Sequence, residues 1–175
     1  MSKIDLYNSL VTELSSLSYD KIDGSVGRIH QVFLWRNNLQ REKEEIPINF
    51  PSVGIEFLEV NYMESSSKAY QTYNGILRLH ILFKSFKTED LDILKLTQQI
   101  YSTLQLKSYQ ATNGFFGVLK RRSEIQDFYH TDVQDFIQDY DISQGKDYGA
   151  DARNTTEATV DIITINPEID RNLET

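Results

Sequence analysis

The feature that most constrains the fold is a change of hydrophobic period within residues 74–106. Residues 76–83 alternate, so a strand there places four apolar side chains on one face, namely Leu77, Leu79, Ile81 and Phe83. Residues 89–104 instead repeat at steps of three and four, which predicts a helix that begins after an N-cap at Thr88. Its predicted apolar stripe consists of Ile93, Leu94, Thr97, Ile100, Tyr101 and Leu104.

The opposite face of this strand carries Ile76, Arg78, His80 and Leu82, a mixture that predicts only partial cover. Because the strand passes into the helix through a short polar link, the helix can lie back on the sheet. We therefore expect an α+β fold, with an antiparallel sheet of four or more strands and helices packed on one face.

The remaining patterns predict one domain over residues 1–145, followed by a linker and a C-terminal β arm over residues 146–175. Residues 2–17 predict a helix, with Ser2 and Asp5 as a capping box. Further strands are predicted over residues 28–35 and 52–60, through Val118 to Ile125, and from Phe136 to Ile142. The polar residues 18–27, 36–45 and 107–113 are predicted loops, and residues 127–132 a hairpin turn.

Composition excludes several classes of protein. The chain has no cysteine, which rules out disulfide-stapled folds and thiolate chemistry. No apolar run is long enough to span a bilayer, and the N-terminus lacks a signal-peptide pattern, so we expect assembly in the cytoplasm and no membrane. The net charge of −8 disfavours tight DNA or RNA binding, because such binding depends on neutralising phosphates.

Motifs of known chemistry are missing from the sequence. There is no phosphate-binding glycine loop, nucleophile elbow or zinc-protease motif, so we predict no catalytic, cofactor-binding or metal residues and no cofactor. His130 and Asp132 fall in a predicted turn, where such residues commonly cap the backbone. His80 is expected to be a half-buried sheet residue, and the basic triplet Lys120-Arg121-Arg122 to be ordinary surface charge.

Two extensions are candidates for contacts between subunits. Residues 62–68 form the predicted tip of a long β-hairpin, and tyrosine and methionine, which are enriched at interfaces, surround it. Residues 159–165 alternate and are strongly β-prone, so they can add a strand to their own sheet or to a neighbouring subunit. The predicted interface residues are Tyr62, Met63, Tyr70, Tyr73, Val160, Ile162, Ile163 and Ile165.

The order of elements resembles the tail terminator and neck proteins of tailed bacteriophages, of the minor tail protein U type. The resemblance runs from about Ile4 to Ile142 and rests on the strand ending in Trp35, the strand that follows Phe50-Pro51, and the strand–helix unit at Thr88. It implies a non-enzymatic virion protein that forms a ring, a hexamer or dodecamer, around the DNA channel at the head–tail junction. The implied partners are other neck, portal or tail proteins, with DNA passing nearby without tight binding.

A second hypothesis is a small cytoplasmic α+β enzyme or ligand-binding domain. Its site would be built from dispersed residues such as His80, His130 and nearby acids. A third is an adaptor that binds a larger protein as a monomer.

Overall fold

A computed structural model describes residues 2–35, 48–63, 73–85, 89–110, 115–130 and 132–146. The chain has an α+β fold. The described helices are α1 (Lys3–Ser15) and α2 (Asp90–Leu104). The described strands are β1 (Ser18–Asp20), β2 (Val26–Arg28), β3 (Gln31–Leu34), β4 (Ser52–Tyr62), β5 (Tyr73–Lys84), β6 (Ser108–Gln110), β7 (Phe115–His130) and β8 (Val133–Lys146).

Six of these strands form one curled sheet in the order β3-β4-β5-β8-β7-β6. Its five strands from β4 to β6 pair antiparallel, as predicted, whereas β3 pairs parallel to β4. A separate antiparallel pair, β1 and β2, makes a second small sheet.

The alternation in β5 is confirmed: all four side chains of its predicted apolar face are fully buried. In α2 the stripe is only partly right, because Leu94 is 55% exposed and Leu96 takes its place in the core. The helix begins at Asp90 with Glu89 as N-cap, one residue later than predicted, and Thr88 lies outside the described residues.

Both helices pack on one face of the large sheet, which we call the inner face. Leu6, Leu10 and Leu14 of α1 join Ile93 and Ile100 of α2 in a single apolar cluster with the inner side chains of β4, β5, β7 and β8. Ser2 and Asp5 form the predicted capping box of α1. Burial of this cluster is the main source of stability, since apolar surface removed from water contributes about 25 cal/mol per Å².

One polar side chain ties the inner face to α2. Gln138, fully buried on β8, donates to the carbonyl oxygen of Thr97 at 3.0 Å and to Glu124 at 2.8 Å. It also accepts a hydrogen bond from the hydroxyl of Tyr140 at 2.8 Å. Every polar atom of the amide side chain therefore has a partner, which a buried amide requires.

Several predicted loops contain short strands. Residues 18–27 form most of the β1–β2 pair, whose turn is set by Gly24 in a positive-φ conformation and by Asp23, which accepts from the backbone and hydroxyl of Ser25. Residues 108–110 form β6. The strand predicted over residues 28–35 is interrupted after Arg28, and the turn predicted over residues 127–132 is shorter because β7 reaches His130. Short strands lack enough residues to show a period.

Candidate functional site

The face of the large sheet opposite the two helices, which we call the outer face, carries charged side chains in three cross-strand rows. Pairing places Glu56 of β4 beside Arg78 of β5, and Arg78 beside Asp139 of β8. His80 lies one row further along β5, between Gly54 and Ile137, and Asp135 stands in the next row opposite Leu82. The mixed face predicted for β5 therefore carries a group of charged side chains together with the apolar residues Leu82 and Ile137.

His80 is the centre of this surface. Its Nδ1 lies 2.8 Å from Oδ2 of Asp135, and its Nε2 lies 2.8 Å from Oε1 of Glu56. A neutral imidazole has one N–H group, so both contacts are hydrogen bonds only if the ring carries two protons or one carboxyl group is protonated. The three residues come from three adjacent strands, so the cluster cross-links β4, β5 and β8.

An aromatic side chain covers one side of the imidazole. The indole of Trp35 stacks on the His80 ring with a centroid separation of 3.7 Å and an angle of 8° between the planes. Gly54 makes this stack possible, because a Cβ atom there would collide with the Trp35 ring. Both ring nitrogens of His80 contact carboxylates of neighbouring strands, and the residue is only 6% exposed, so His80 presents no free nitrogen to solvent.

Arg78 extends the network along the outer face. Its Nε and Nη2 donate to the two carboxylate oxygens of Asp139 at 2.8 and 2.9 Å, a bidentate geometry that fixes both side chains. The hydrogen bonds that Arg78 donates to Asp139 raise the pKa of Arg78 above its usual value. Within the described part of the chain, no group of three or more His, Asp or Glu side chains is arranged to hold a metal ion.

The sequence indicated His80 as a half-buried sheet residue; its place in the sheet is confirmed, but the residue is buried, because Trp35 covers its ring. The sequence did not identify Glu56 and Asp135 as its partners, because they lie 24 and 55 residues away. Asp135 alternates with the apolar residues of β8, which could have indicated that it lies on the outer face. Placing it beside His80 also requires the register between β5 and β8, which the sequence does not give. The side chain of His130 and all of Thr131 are outside the described residues.

The exposed end of the β4–β5 hairpin is the second feature of interest. A β-bulge at Leu58 shifts the register, so that Phe57 pairs with Leu77 and Glu59 with Ile76. Beyond the bulge, Tyr62 is 56% and Met63 47% exposed. The ring of Tyr62 stands edge-on against Tyr73, at a centroid distance of 5.9 Å, which holds it in place at the end of the strand.

The predicted interface residues do not all share this position. Tyr73 is 2% exposed and belongs to the apolar cluster of the core. Its ring packs against Tyr62, and almost none of its surface is accessible to a partner. Tyr70 and the arm residues Val160, Ile162, Ile163 and Ile165 lie outside the described residues. Only Tyr62 and Met63 of the predicted set are described at the surface.

A cleft of about 500 Å³ lies at the opposite end of β4. Its walls come from the β1–β2 pair, residues 48–51, the end of β5 and the first turn of α2. The lining includes three basic side chains, Lys21, Arg28 and Lys84, and one carboxylate, Asp92. The cleft was not predicted from the sequence, because the four elements that form it are remote along the chain.

The acidic group in the cleft is already engaged. Asp92 is 5% exposed and accepts a hydrogen bond from the backbone N–H of Ile22 at 2.8 Å, which joins α2 to the β1–β2 turn. Lys84 pairs with Asp132 at 2.7 Å. Among the described residues, Lys21 and Arg28 have no ion-pair partner.

No protein-family model matches the chain, and no curated protein is significantly similar to it. Neither described helix has the length and apolar character that crossing a bilayer requires.

Proposed function

We propose that this chain is a non-enzymatic structural protein of a bacteriophage virion. It forms a ring at the head–tail junction, as a tail terminator or a neck or collar ring, around the DNA channel. The observation that carries the proposal is the exposed apolar end of the β4–β5 hairpin. The resemblance of residues 4–142 to the tail terminator and neck proteins gives the proposal its biological setting.

The end of β4 has the composition of a protein contact. Leu58, Tyr62 and Met63 are each more than 40% exposed although they lie within six positions of one another. Several exposed apolar side chains along one short segment favour an interaction site, and tyrosine and methionine are enriched in interfaces. Because Tyr73 fixes the Tyr62 ring, this side chain loses little conformational freedom on binding.

The charge of the chain suits a channel that conducts DNA. A net charge of −8 repels phosphates, so DNA can pass without being held. We expect no duplex affinity tighter than about 10⁻⁴ to 10⁻⁶ M at physiological salt. A tight, salt-sensitive complex in a fluorescence anisotropy assay would contradict this part of the proposal.

Ring formation is tested by the mass of the purified chain in solution and by negative-stain electron microscopy. We expect a closed oligomer, a hexamer or dodecamer, with a central hole. The proposal also requires the protein in purified virions, at the junction of head and tail. A chain that stays monomeric at high concentration and is missing from the particles would refute it.

The C-terminal arm provides a second test. It lies outside the described residues, and we propose that it contacts a neighbouring subunit or an adjacent ring. A chain truncated before Asn154 should then keep its melting temperature and fail to join the particle. A truncated chain that melts much lower would show that the arm stabilises its own domain.

A ligand-binding domain is the alternative that one observation favours, namely the cleft beside α2. A volume of about 500 Å³ is within the range of small-molecule sites. Binding of a small organic anion by the monomer, with no ring in solution or in virions, would support this alternative.

A further inference from the structure

The cleft beside α2 has walls that hydrogen bonds tie together. The backbone N–H of Ile22 donates to Asp92 at 2.8 Å, which fixes the β1–β2 pair against α2. The backbone N–H of His30 donates to the carbonyl oxygen of Pro51 at 2.8 Å, which fixes the segment before β4 beside the end of β2. The cavity of about 500 Å³ is therefore already shaped, and filling it requires little ordering of the protein.

The cleft borders the edge of β2 that faces away from β1. Among the described strands, β2 pairs only with β1. The lining contains residues from both faces of this pair, namely Tyr19 and Gly27 from one face and Val26 and Arg28 from the other. A cavity that wraps around a strand edge is bordered by both faces. Lys21, which follows β1 two positions after Tyr19, and Arg28 therefore line the same space.

The described lining carries an excess of positive charge. Its three basic side chains, Lys21, Arg28 and Lys84, and its one carboxylate, Asp92, give a formal net charge of +2 with histidine neutral. The whole chain has a net charge of −8, so this local excess has the opposite sign to the rest of the molecule. Lys84 pairs with Asp132 at 2.7 Å, whereas Lys21 and Arg28 have no ion-pair partner among the described residues. An anionic ligand would compensate these two charges.

The lining also includes aromatic side chains. The ring of Tyr19 lies directly over Gly27, where a Cβ atom would collide with it, so the glycine leaves room for this ring at the cleft. Nζ of Lys84 lies 5.3 Å from the centroid of the Phe50 ring, a cation–π contact that helps to hold the ring in place. The two rings offer surface to the apolar body of an organic ligand, which an inorganic ion lacks.

We propose that the cleft binds a small organic phosphate. Arg28 and Lys21 hold the dianionic head group, and the rings of Tyr19 and Phe50 contact the apolar body. A phosphate monoester carries about two negative charges above pH 7, which match the two unpaired cations. The guanidinium group can donate to two phosphate oxygens at once. The inference goes beyond the proposed ring, because every residue of the described lining belongs to one chain.

A panel of ligands that share one aromatic ring tests the head group. Phenyl phosphate, benzoate and benzylammonium are compared at pH 8 by saturation-transfer difference NMR, which detects binding to a monomer or a ring alike. We expect phenyl phosphate to bind with a dissociation constant on the order of 1 mM or tighter, benzoate to bind about threefold or more weakly, and benzylammonium not to bind.

The comparison with benzylammonium is the decisive one. A net charge of −8 by itself favours the cation, so a preference for the anion must come from a local site. Benzylammonium that binds as tightly as phenyl phosphate would overturn the proposal. Benzoate that binds more tightly than phenyl phosphate would overturn the assignment of a phosphate head group.

Variants that remove one charge each locate the site. Arg28→Gln and Lys21→Gln should each weaken phenyl phosphate binding about fivefold or more, whereas Lys95→Gln, which removes an exposed cation on α2, should leave it unchanged. Asp92→Asn should strengthen binding about threefold, because it removes the negative charge of the lining and keeps an oxygen that can accept from Ile22. Thermal melting shows that each variant is folded. If Arg28→Gln and Lys21→Gln bind phenyl phosphate like the native chain, the proposal is wrong.

The outcomes separate this inference from the proposed function. Rings in solution and in virions without phenyl phosphate binding refute the ligand of the cleft and leave the proposed function intact. Phenyl phosphate binding by a chain that joins no ring or particle refutes the proposed function and supports the ligand-binding alternative. Binding by a chain that also forms the ring supports both proposals.

Discussion

Removing the His80 imidazole should destabilise the fold strongly, and the loss should be recovered by also removing its buried partner. In His80→Leu, Asp135 loses the partner of its Oδ2 atom, while its Oδ1 atom is already buried without a hydrogen bond among the described residues. An uncompensated buried charge of this kind costs about 3–5 kcal/mol. The stack of Trp35 on the imidazole is lost as well.

In the double variant His80→Leu/Asp135→Leu no buried carboxylate remains unpaired. Apolar replacement of a buried ionic cluster is commonly neutral or stabilising, so we expect recovery of most of the free energy of unfolding. Glu56 is about a quarter exposed and retains access to Arg78 and water. Urea denaturation measures the free energy of unfolding of both variants, and the dependence of this free energy on urea concentration should be the same in each. A cost below about 1 kcal/mol for the single change, or a double variant no more stable than the single one, would refute the reasoning.

Three further predictions concern the core, a buried hydroxyl and the outer face. Ile100→Asp should prevent folding, because Ile100 is fully buried, whereas Leu94→Asp should change the free energy of unfolding by less than about 0.5 kcal/mol; circular dichroism and thermal melting compare the pair. The Tyr109 hydroxyl is buried without a hydrogen bond within the described residues, so Tyr109→Phe should leave stability unchanged or slightly higher. Burial raises the pKa of Tyr109, whereas in the unfolded chain this hydroxyl loses its proton above about pH 10. The free energy of unfolding should therefore fall as the pH rises beyond 10, and it should fall less steeply in Tyr109→Phe. Urea denaturation of both proteins at pH 8 and above pH 10 tests the sign. Gly54→Val should displace the Trp35 ring from His80 and change its fluorescence, and an unchanged emission spectrum would contradict the packing.

Sequence patterns located the elements that are long and have one buried face. In β5 the apolar positions alternate four times, which is enough to fix both the type of element and its buried face, and in α1 they repeat over three turns, which fixes the type of element. The position of Leu94 shows where this information ends. The helical stripe of α2 is defined by residues 93, 97, 100 and 104, and it could be widened on either side by Leu94 or Leu96. Only packing against the sheet selects Leu96 for burial.

The candidate surfaces were harder to predict because they are assembled from remote elements. The hairpin end was recognised from Tyr62 and Met63, which are neighbours in the chain. The cleft required β1 and β2, strands of three residues that show no period, to be brought beside α2 by the contact between Asp92 and Ile22. Nothing in a polar run of ten residues indicates that contact.

The bulge at Leu58 has a consequence for how this sequence tolerates change. Leu58 is the one residue of β4 between the two registers, so its deletion would leave Phe57 opposite Leu77 and Glu59 opposite Ile76. In an ordinary strand, deletion of one residue moves every following side chain to the opposite face of the sheet. Deletion of Leu58 would instead leave each side chain of β4 on its present face, because Leu58 is the extra residue of the bulge. Gly75 pairs with Val60, two positions after the bulge, and a side chain there would collide with the Glu59 carbonyl group. We therefore expect the requirement for glycine to depend on the extra residue, so that a chain without Leu58 accepts alanine at position 75.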